Sequence, residues 1–362
     1  MKDKLTMIGI LGPLFLFCIL GICTPDVELS KEERRKLEQI PKFSTTAIQN
    51  NTYFSKWTNY FTDQFPYRNE FRKLKGLISL NVFQKKTENN VVQIDDTLYE
   101  INPYIAKKSL THFTEQLNKT ITTYNNASNI YYSIIPDKTY YLEDKNIPKL
   151  DYNSLVDQIK KEFKNYTYIS LFEALNKESY FKTDIHWKQN ALENVLKNLK
   201  KAMNLPDSNL SWSKQEVSPF YGALKSRIPN NIAEETITFY TNDSIEQAIV
   251  YNYEKQTTEK AYQKENINHL DGYDVFLSGA TALLIIENEH ATTNKELIVF
   301  RDSFASSLIP LLIPEYQKIT LIDLRYIKSE YLKNIPEISF QNNPDILLLY
   351  SVPLINNSYT LK

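Results

Sequence analysis

Glycine is scarce in this chain, with seven residues in 362. None of them forms a glycine-rich turn between a strand and a helix. That excludes the dinucleotide and phosphate loops that rely on close backbone approach. Cysteine is scarcer still: Cys18 and Cys23 both lie in the first apolar segment. Everything after Cys23 therefore lacks a disulfide, a thiolate metal site and a cysteine nucleophile, which suits an extracytoplasmic protein that folds without oxidation. The formal net charge is −1 and no basic run is present, so nucleic acid is not expected as a partner. No cofactor and no metal are expected. Apolar residues make up 42% and charged residues 23% of the chain, proportions that fit a folded globular protein. The length allows one large core or two modest ones.

What is present begins with Lys2 and Lys4, followed by an apolar stretch over residues 7–23. About 17 residues is the lower limit for a membrane-spanning helix. Lysines before the stretch, with Asp26 and Glu28 after it, favour a cytoplasmic N-terminus. The expectation is a cytoplasmic tail over 1–6, an uncleaved signal anchor over 7–23 and the remaining chain outside a cell membrane crossed once. A cleaved signal peptide is the alternative. Residues 24–85 read as a helical stalk or collar. Phe54, Trp57, Tyr60, Phe61, Phe65, Phe71, Leu74, Leu77 and Ile78 recur at helical spacing as a packing face. Pro66 disfavours helix at Phe65 and separates two helices.

Residues 86–362 read as an α/β domain. A hairpin spans Val91 to Glu100 with its turn at Asp95-Asp96, and a helix runs from Ser109 to Tyr124. Ile130 to Ile135 is a strand, Tyr152 to Phe163 a helix and Tyr166 to Ile169 a short strand. From 206 to 276 short alternating runs suggest a β-rich insertion, a subdomain or lid. Its tyrosines either stack on sugar rings or are ordinary edge-strand residues. The stretch Lys295–Ser351 organises the domain. Its three apolar runs, Leu297–Phe300, Ile319–Ile322 and Ile346–Tyr350, alternate with helical segments over Ala305–Ile313 and Tyr326–Phe340. This pattern predicts buried parallel strands with crossover helices. Ligands bind beyond the carboxyl ends of such strands, here Asp302-Ser303, Asp323 with Arg325, and Tyr350-Ser351.

The helix face that follows Tyr180–Trp187 explains Ala191, Leu192, Val195, Leu196, Leu199 and Met203, but not Asp184, His186 and Trp187. In an extended segment residues two apart point the same way, so Asp184 and His186 can share one site. Of the four histidines, His112, His186, His269 and His290, only His186 has a carboxylate beside it and an aromatic after it. Ser303 opens a helix, where free N–H groups and the helix dipole favour a developing oxyanion. It needs a base, and His186 with Asp184 is the available pair: nucleophile, general base and orienter. A serine in that place is also an ordinary helix cap. Asp302 or Asp323 are alternative orienters, and Arg325 either binds an anion or pairs with Asp323.

Thr183-Asp184-Ile185-His186-Trp187 and Arg301-Asp302-Ser303-Phe304-Ala305, with Asp323-Leu324-Arg325-Tyr326, resemble the bacterial DHHW-type envelope proteins. Those are related to SGNH-hydrolase-like O-acetyltransferases that modify exported polysaccharides, the alginate acetylation proteins among them. Phe61–Arg68 and Phe276–Gly279 fit the same pattern. The resemblance implies an SGNH-hydrolase-like α/β fold, a parallel sheet flanked by helices, and maps the triad onto Asp184, His186 and Ser303. It offers Gly279 as the oxyanion glycine; Asp302, Arg325 and Trp187 are further substrate-side candidates among the residues themselves. Two positions depart from it: Ile185 stands where the signature has its first histidine, and Arg301 where many SGNH enzymes have glycine. The implied activity is acetyl transfer to a cell-surface polysaccharide, with a separate membrane-bound O-acyltransferase as donor. A glycan acetyl esterase and a non-catalytic scaffold or glycan-binding protein are the alternatives.

Overall fold

The run Leu297–Phe300 forms a strand because both of its faces are covered: none of the four side chains is more than 2% exposed. Burying each one fully is worth about 1.5–3 kcal/mol. The computed structural model describes every residue except 1, 31, 32, 34, 51, 83–88, 124–128, 207–209, 229–231 and 339–342. For 2–6, 8, 10, 14, 80, 81 and 123 it describes the backbone alone. Tyr124 and Phe340, expected as element ends, and the domain boundary near residue 85 lie outside the described residues.

Besides a two-residue pairing of Leu29–Ser30 with Arg35–Lys36, the strands in chain order are β1 (Val91–Ile94), β2 (Thr97–Glu100), β3 (Asn129–Ile135), β4 (Thr167–Tyr168), β5 (Ser213–Phe220), β6 (Glu235–Thr241), β7 (Ile249–Asn252), β8 (Thr257–Glu259), β9 (Leu283–Glu287), β10 (Glu296–Arg301), β11 (Lys318–Ile322) and β12 (Asp345–Ser351). The longer helices are α1 (Lys2–Cys23), α2 (Thr45–Gln49), α3 (Thr52–Asp63), α4 (Arg68–Asn81), α5 (Lys107–Thr123), α6 (Tyr152–Glu162) and α7 (Glu193–Ala202). Contacts divide the chain into two units, 1–89 with 225–231, and 90–224 with 232–362.

In the second unit the central sheet runs β8-β7-β9-β11-β10-β12-β3-β4. The pairs from β11 through β10, β12 and β3 to β4 are parallel. β9 lies antiparallel to β11 and β7, and β8 antiparallel to β7. The sheet is therefore mixed, where the sequence predicts a parallel one. The physical reason is that β7 and β8, expected inside a separate insertion, extend the main sheet: β7 pairs with β9, and β8 with β7. Within the insertion, β5 and β6 form a two-stranded sheet of their own. Side chains alternate between two cores. Leu297, Val299, Leu347 and Leu349 pack with Val195 and Leu199 of α7. Ile298, Phe300, Ile346 and Leu348 pack with Phe113 and Leu117 of α5 and with Leu155 and Ile159 of α6. This is the period of two expected of a sheet covered on both sides. The predicted helix after Ser303 is a four-residue α turn, Ala305–Leu308, running into a 3₁₀ stretch, Ile309–Glu315, with Pro310 and Pro314 inside it.

In the first unit α3 and α4 are separated at Pro66, as predicted. Asp63 accepts from Arg35 Nη1 at 2.8 Å and from the Glu38 N–H at 2.9 Å, and Arg68 pairs with Glu33. The Arg35 guanidinium holds the Asp63 carboxyl below its usual range against the opposing effect of burial. The aromatic stripe is only partly covered. Phe65 stacks on Phe17 of α1, whereas Phe54 and Phe61 are 65% and 64% exposed. Among the described residues no helix is long and apolar enough to cross a membrane.

Candidate functional site

Ser303 stands just beyond the carboxyl end of β10, half-buried. Asp302 sets the turn that presents it: Oδ1 accepts from the Phe304 N–H at 3.1 Å, and Oδ2 from the Ser351 N–H at 2.8 Å. The second bond ties the turn to the end of β12. Asp302 is thus held by backbone donors, as a buried carboxylate must be. The helical turn after it is too short to supply the dipole that the sequence suggested.

The segment carrying Asp184 and His186 is a closed loop and not an extended strand. An antiparallel bridge joins Tyr180 to Trp187, and the Phe181 N–H donates to His186 O at 3.1 Å. The two side chains meet because an aspartate can accept from its own backbone two residues on. Asp184 Oδ1 accepts from the His186 N–H at 3.0 Å and lies 2.6 Å from Nδ1. Its Oδ2 accepts from the Ala223 N–H at 2.6 Å. On the other side of the ring, His186 Nε2 is 2.8 Å from Ser303 Oγ. The network assigns the tautomer: with Nδ1–H on Asp184, Nε2 is free to accept from the serine hydroxyl. Asp184 is fully buried and His186 nearly so. The structure thus brings Asp184 and His186 to Ser303, which lies 117 positions beyond His186 in the chain.

The imidazole is packed as well as hydrogen-bonded. Tyr273 stacks flat on it, with centroids 4.0 Å apart and planes 9° apart, and its hydroxyl donates to Ser307 Oγ at 2.7 Å. Burial pushes the Tyr273 phenol well above its ordinary range, so it stays a neutral donor. Trp187 is fully buried, and its Nε1–H donates to Phe304 O and Ser307 Oγ, each at 2.9 Å. Ser307 therefore joins the Trp187 and Tyr273 supports. Of the insertion's other tyrosines, Tyr262 donates to Tyr240 O at 2.8 Å and Tyr221 is 43% exposed.

Gly279 has a left-handed backbone (φ +80°), and a Cβ there would meet Asp274 Oδ1 at 1.9 Å. Its N–H already donates to Phe276 O at 3.1 Å, and its carbonyl lies 3.4 Å from Arg301 Nη2. Arg325 is paired with Asp323, Nε at 2.9 Å and Nη2 at 2.6 Å. Arg301 is fully buried, with Nη1 3.8 Å from Asp323, and burial lowers its pKa.

Sequence reasoning missed Tyr273, Ala223 and Gly222. A Cβ on Gly222 would lie 2.2 Å from the Thr183 carbonyl, so only glycine lets the 222–223 backbone reach Asp184. Scarcity of glycine is no local signal for it, because a Cβ would be obstructed at Gly222 and Gly279 but not at Gly9 or Gly12.

No family model and no curated protein matches the sequence. Among solved structures, a DHHW family protein from Eubacterium siraeum superposes with a TM-score of 0.60 at 18% identity, covering 75% of this chain and 92% of that one. PatB1 of Bacillus cereus, solved with a sulfonyl adduct, gives 0.59 at 16%, covering 73% and 95%. The O-acetyltransferase domain of Pseudomonas putida AlgJ gives 0.47 at 14%, covering 74% and 92%. At these identities the likeness is one of fold, and the fold of this chain is similar to that of a DHHW family protein and of PatB1.

Proposed function

We propose that this chain is a membrane-tethered, extracytoplasmic O-acetyltransferase acting on a cell-surface polysaccharide through an acyl-Ser303 intermediate. One observation carries the chemistry: His186 lies between Ser303 Oγ at 2.8 Å and Asp184 Oδ1 at 2.6 Å. Those are the contacts a base needs to take a hydroxyl proton while a carboxylate holds its ring. The acetyl group and the glycan come from the resemblance of the motifs to DHHW-type and SGNH-like proteins. The tether comes from the apolar segment over 7–23 with its flanking charges.

In the first half-reaction Ser303 Oγ bonds to the acetyl carbonyl carbon and its proton passes to His186 Nε2. Asp184 stabilises the imidazolium. The donor's leaving oxygen departs with that proton, leaving acetyl-Ser303. In the second half a sugar hydroxyl gives its proton to Nε2 and attacks the acyl carbon, and Ser303 leaves and recovers the proton. The donor side is assigned to a separate membrane-bound O-acyltransferase. Water in place of the sugar would release acetate, so transferase and esterase share every residue.

The test is Ser303→Ala with an activated acetyl ester, read with and without an oligosaccharide acceptor. Turnover and fluorophosphonate labelling should vanish while the circular dichroism spectrum stays unchanged. Acceptor-dependent product marks transfer, and free acetate alone marks hydrolysis. Turnover that survives in the alanine variant would rule out the covalent route.

A further inference from the structure

The loop that carries Asp184 and His186 has no ladder of its own, yet the site needs it fixed to within tenths of an ångström. Its backbone is gripped from two sides by ionisable side chains distant in sequence. On the carbonyl side, Lys138 Nζ donates to Phe181 O at 2.8 Å, to Asp184 O at 2.7 Å and to Lys182 O at 3.3 Å. On the amide side, Glu235 Oε1 accepts from the Lys182 N–H at 2.8 Å, and Oε2 from the Thr183 N–H at 2.9 Å and the Thr183 hydroxyl at 2.6 Å. Lys138 sits in the turn after β3 and is 3% exposed. Glu235 opens β6 in the two-stranded sheet. We propose that Lys138 and Glu235 are positioning residues, an opposed charge pair that clamps both polar edges of the 181–184 backbone and so sets Asp184 behind His186. This rests on the acyl-serine reading above.

The charge types follow from the geometry. Three carbonyls converge on one point, and an ammonium is the side-chain group that offers three donors from a single atom. Two amides and a hydroxyl converge on the other point, and a carboxylate offers the acceptors. A buried lone cation would be costly. Lys138 is compensated by Asp184, Glu235 and Asp137, opposed by Lys188, and has the Tyr99 ring 5.5 Å away. Burial pulls its pKa down to about 7 against those carboxylates. With both members present their charges largely cancel at the base. Removing one leaves the other unbalanced.

That imbalance supplies a readout that a merely structural role would not move. Lys138→Met and Glu235→Gln should each lower kcat by about 10–100-fold, the range for a misplaced catalytic group, with KM changed little. The acid limb of kcat/KM should move to higher pH in Lys138→Met, where a carboxylate is left unbalanced. It should move to lower pH in Glu235→Gln, where the ammonium is left. Amides 182–186 should exchange hydrogen faster in both. If Lys138→Met does not fold, Glu235→Gln and its limb carry the test. Unchanged kcat in a folded variant, or limbs that shift in the same direction, would overturn the clamp. Ser303→Ala keeps the two claims apart. Turnover that persists there sinks the acyl-serine reading, while amide exchange still judges the clamp without any turnover.

Discussion

Two segments meet at the site and are held in opposite ways. The Ser303 turn is the end of a buried strand, with hydrogen-bonded strands on both sides and the Ser351 N–H donating to Asp302 Oδ2. The 181–187 loop has one bridge, Tyr180 to Trp187, and otherwise depends on side chains and backbone from elsewhere, Lys138, Ala223 and Glu235. The first is placed by hydrophobic burial, the second by polar groups that must find their partners. The serine should therefore tolerate changes around it better than the histidine does.

The largest test of that contrast sets the two aspartates against each other. Asp184→Asn should cut kcat/KM by about 10³–10⁴-fold, because the imidazole loses its orienting acceptor. Asp302→Asn should leave turnover within about tenfold of the parent and lower unfolding stability by about 1–3 kcal/mol through a weakened backbone anchor. Steady-state kinetics beside urea unfolding reads both; a larger kinetic loss at Asp302 would move the orienting role to that residue. Gly222→Ala comes next. Its Cβ would overlap the Thr183 carbonyl, so the loop must shift, and kcat should fall by about 10–100-fold with a lower melting temperature. Trp187→Phe removes one donor from two acceptors and should cost about 1–3 kcal/mol in thermal unfolding, with a smaller kinetic effect.

The last contrast is a slope with pH. The Lys138 pKa falls from 10.5 unfolded to about 7 in the fold. Between those values the unfolded chain binds more protons, so stability rises with pH across the window and levels off above it. Lys138→Met should lack this part of the slope when denaturation midpoints are compared pH by pH. An identical slope in the two proteins would place the titration elsewhere.

Much of the parallel half was legible. β3, β10, β11 and β12 fall where their apolar runs predict, because a strand buried on both faces writes its burial into every residue. β9 has no place in the expected pattern, although Leu283–Ile286 is as apolar as its neighbours. It follows irregular backbone at Leu277, Ser278 and Gly279, all with positive φ, and no local signal shows that β7 and β8 pair beside it. The aromatic stripe of α3 and α4 was legible as helix but not as burial, since periodicity names a face without naming what covers it. At the site, Asp184, His186 and Ser303 could be named from the sequence. Tyr273, Gly222, Lys138 and Glu235 could not, because each acts on a segment distant in the chain.

The sequence by itself determined which stretches become buried strands, where the chain must turn, and which side chains are chemically able to act as nucleophile, base and orienter. Those are local properties of hydrophobic period and residue type. Only the tertiary structure decided that Asp184 Oδ1 faces Nδ1 while Nε2 faces Ser303. It also decided that the expected insertion partly joins the main sheet and supplies Ala223 and Glu235 to the loop. Hydrogen bonds and charge pairs depend on distances of a few tenths of an ångström between segments far apart in the chain, and no one-dimensional pattern encodes such distances.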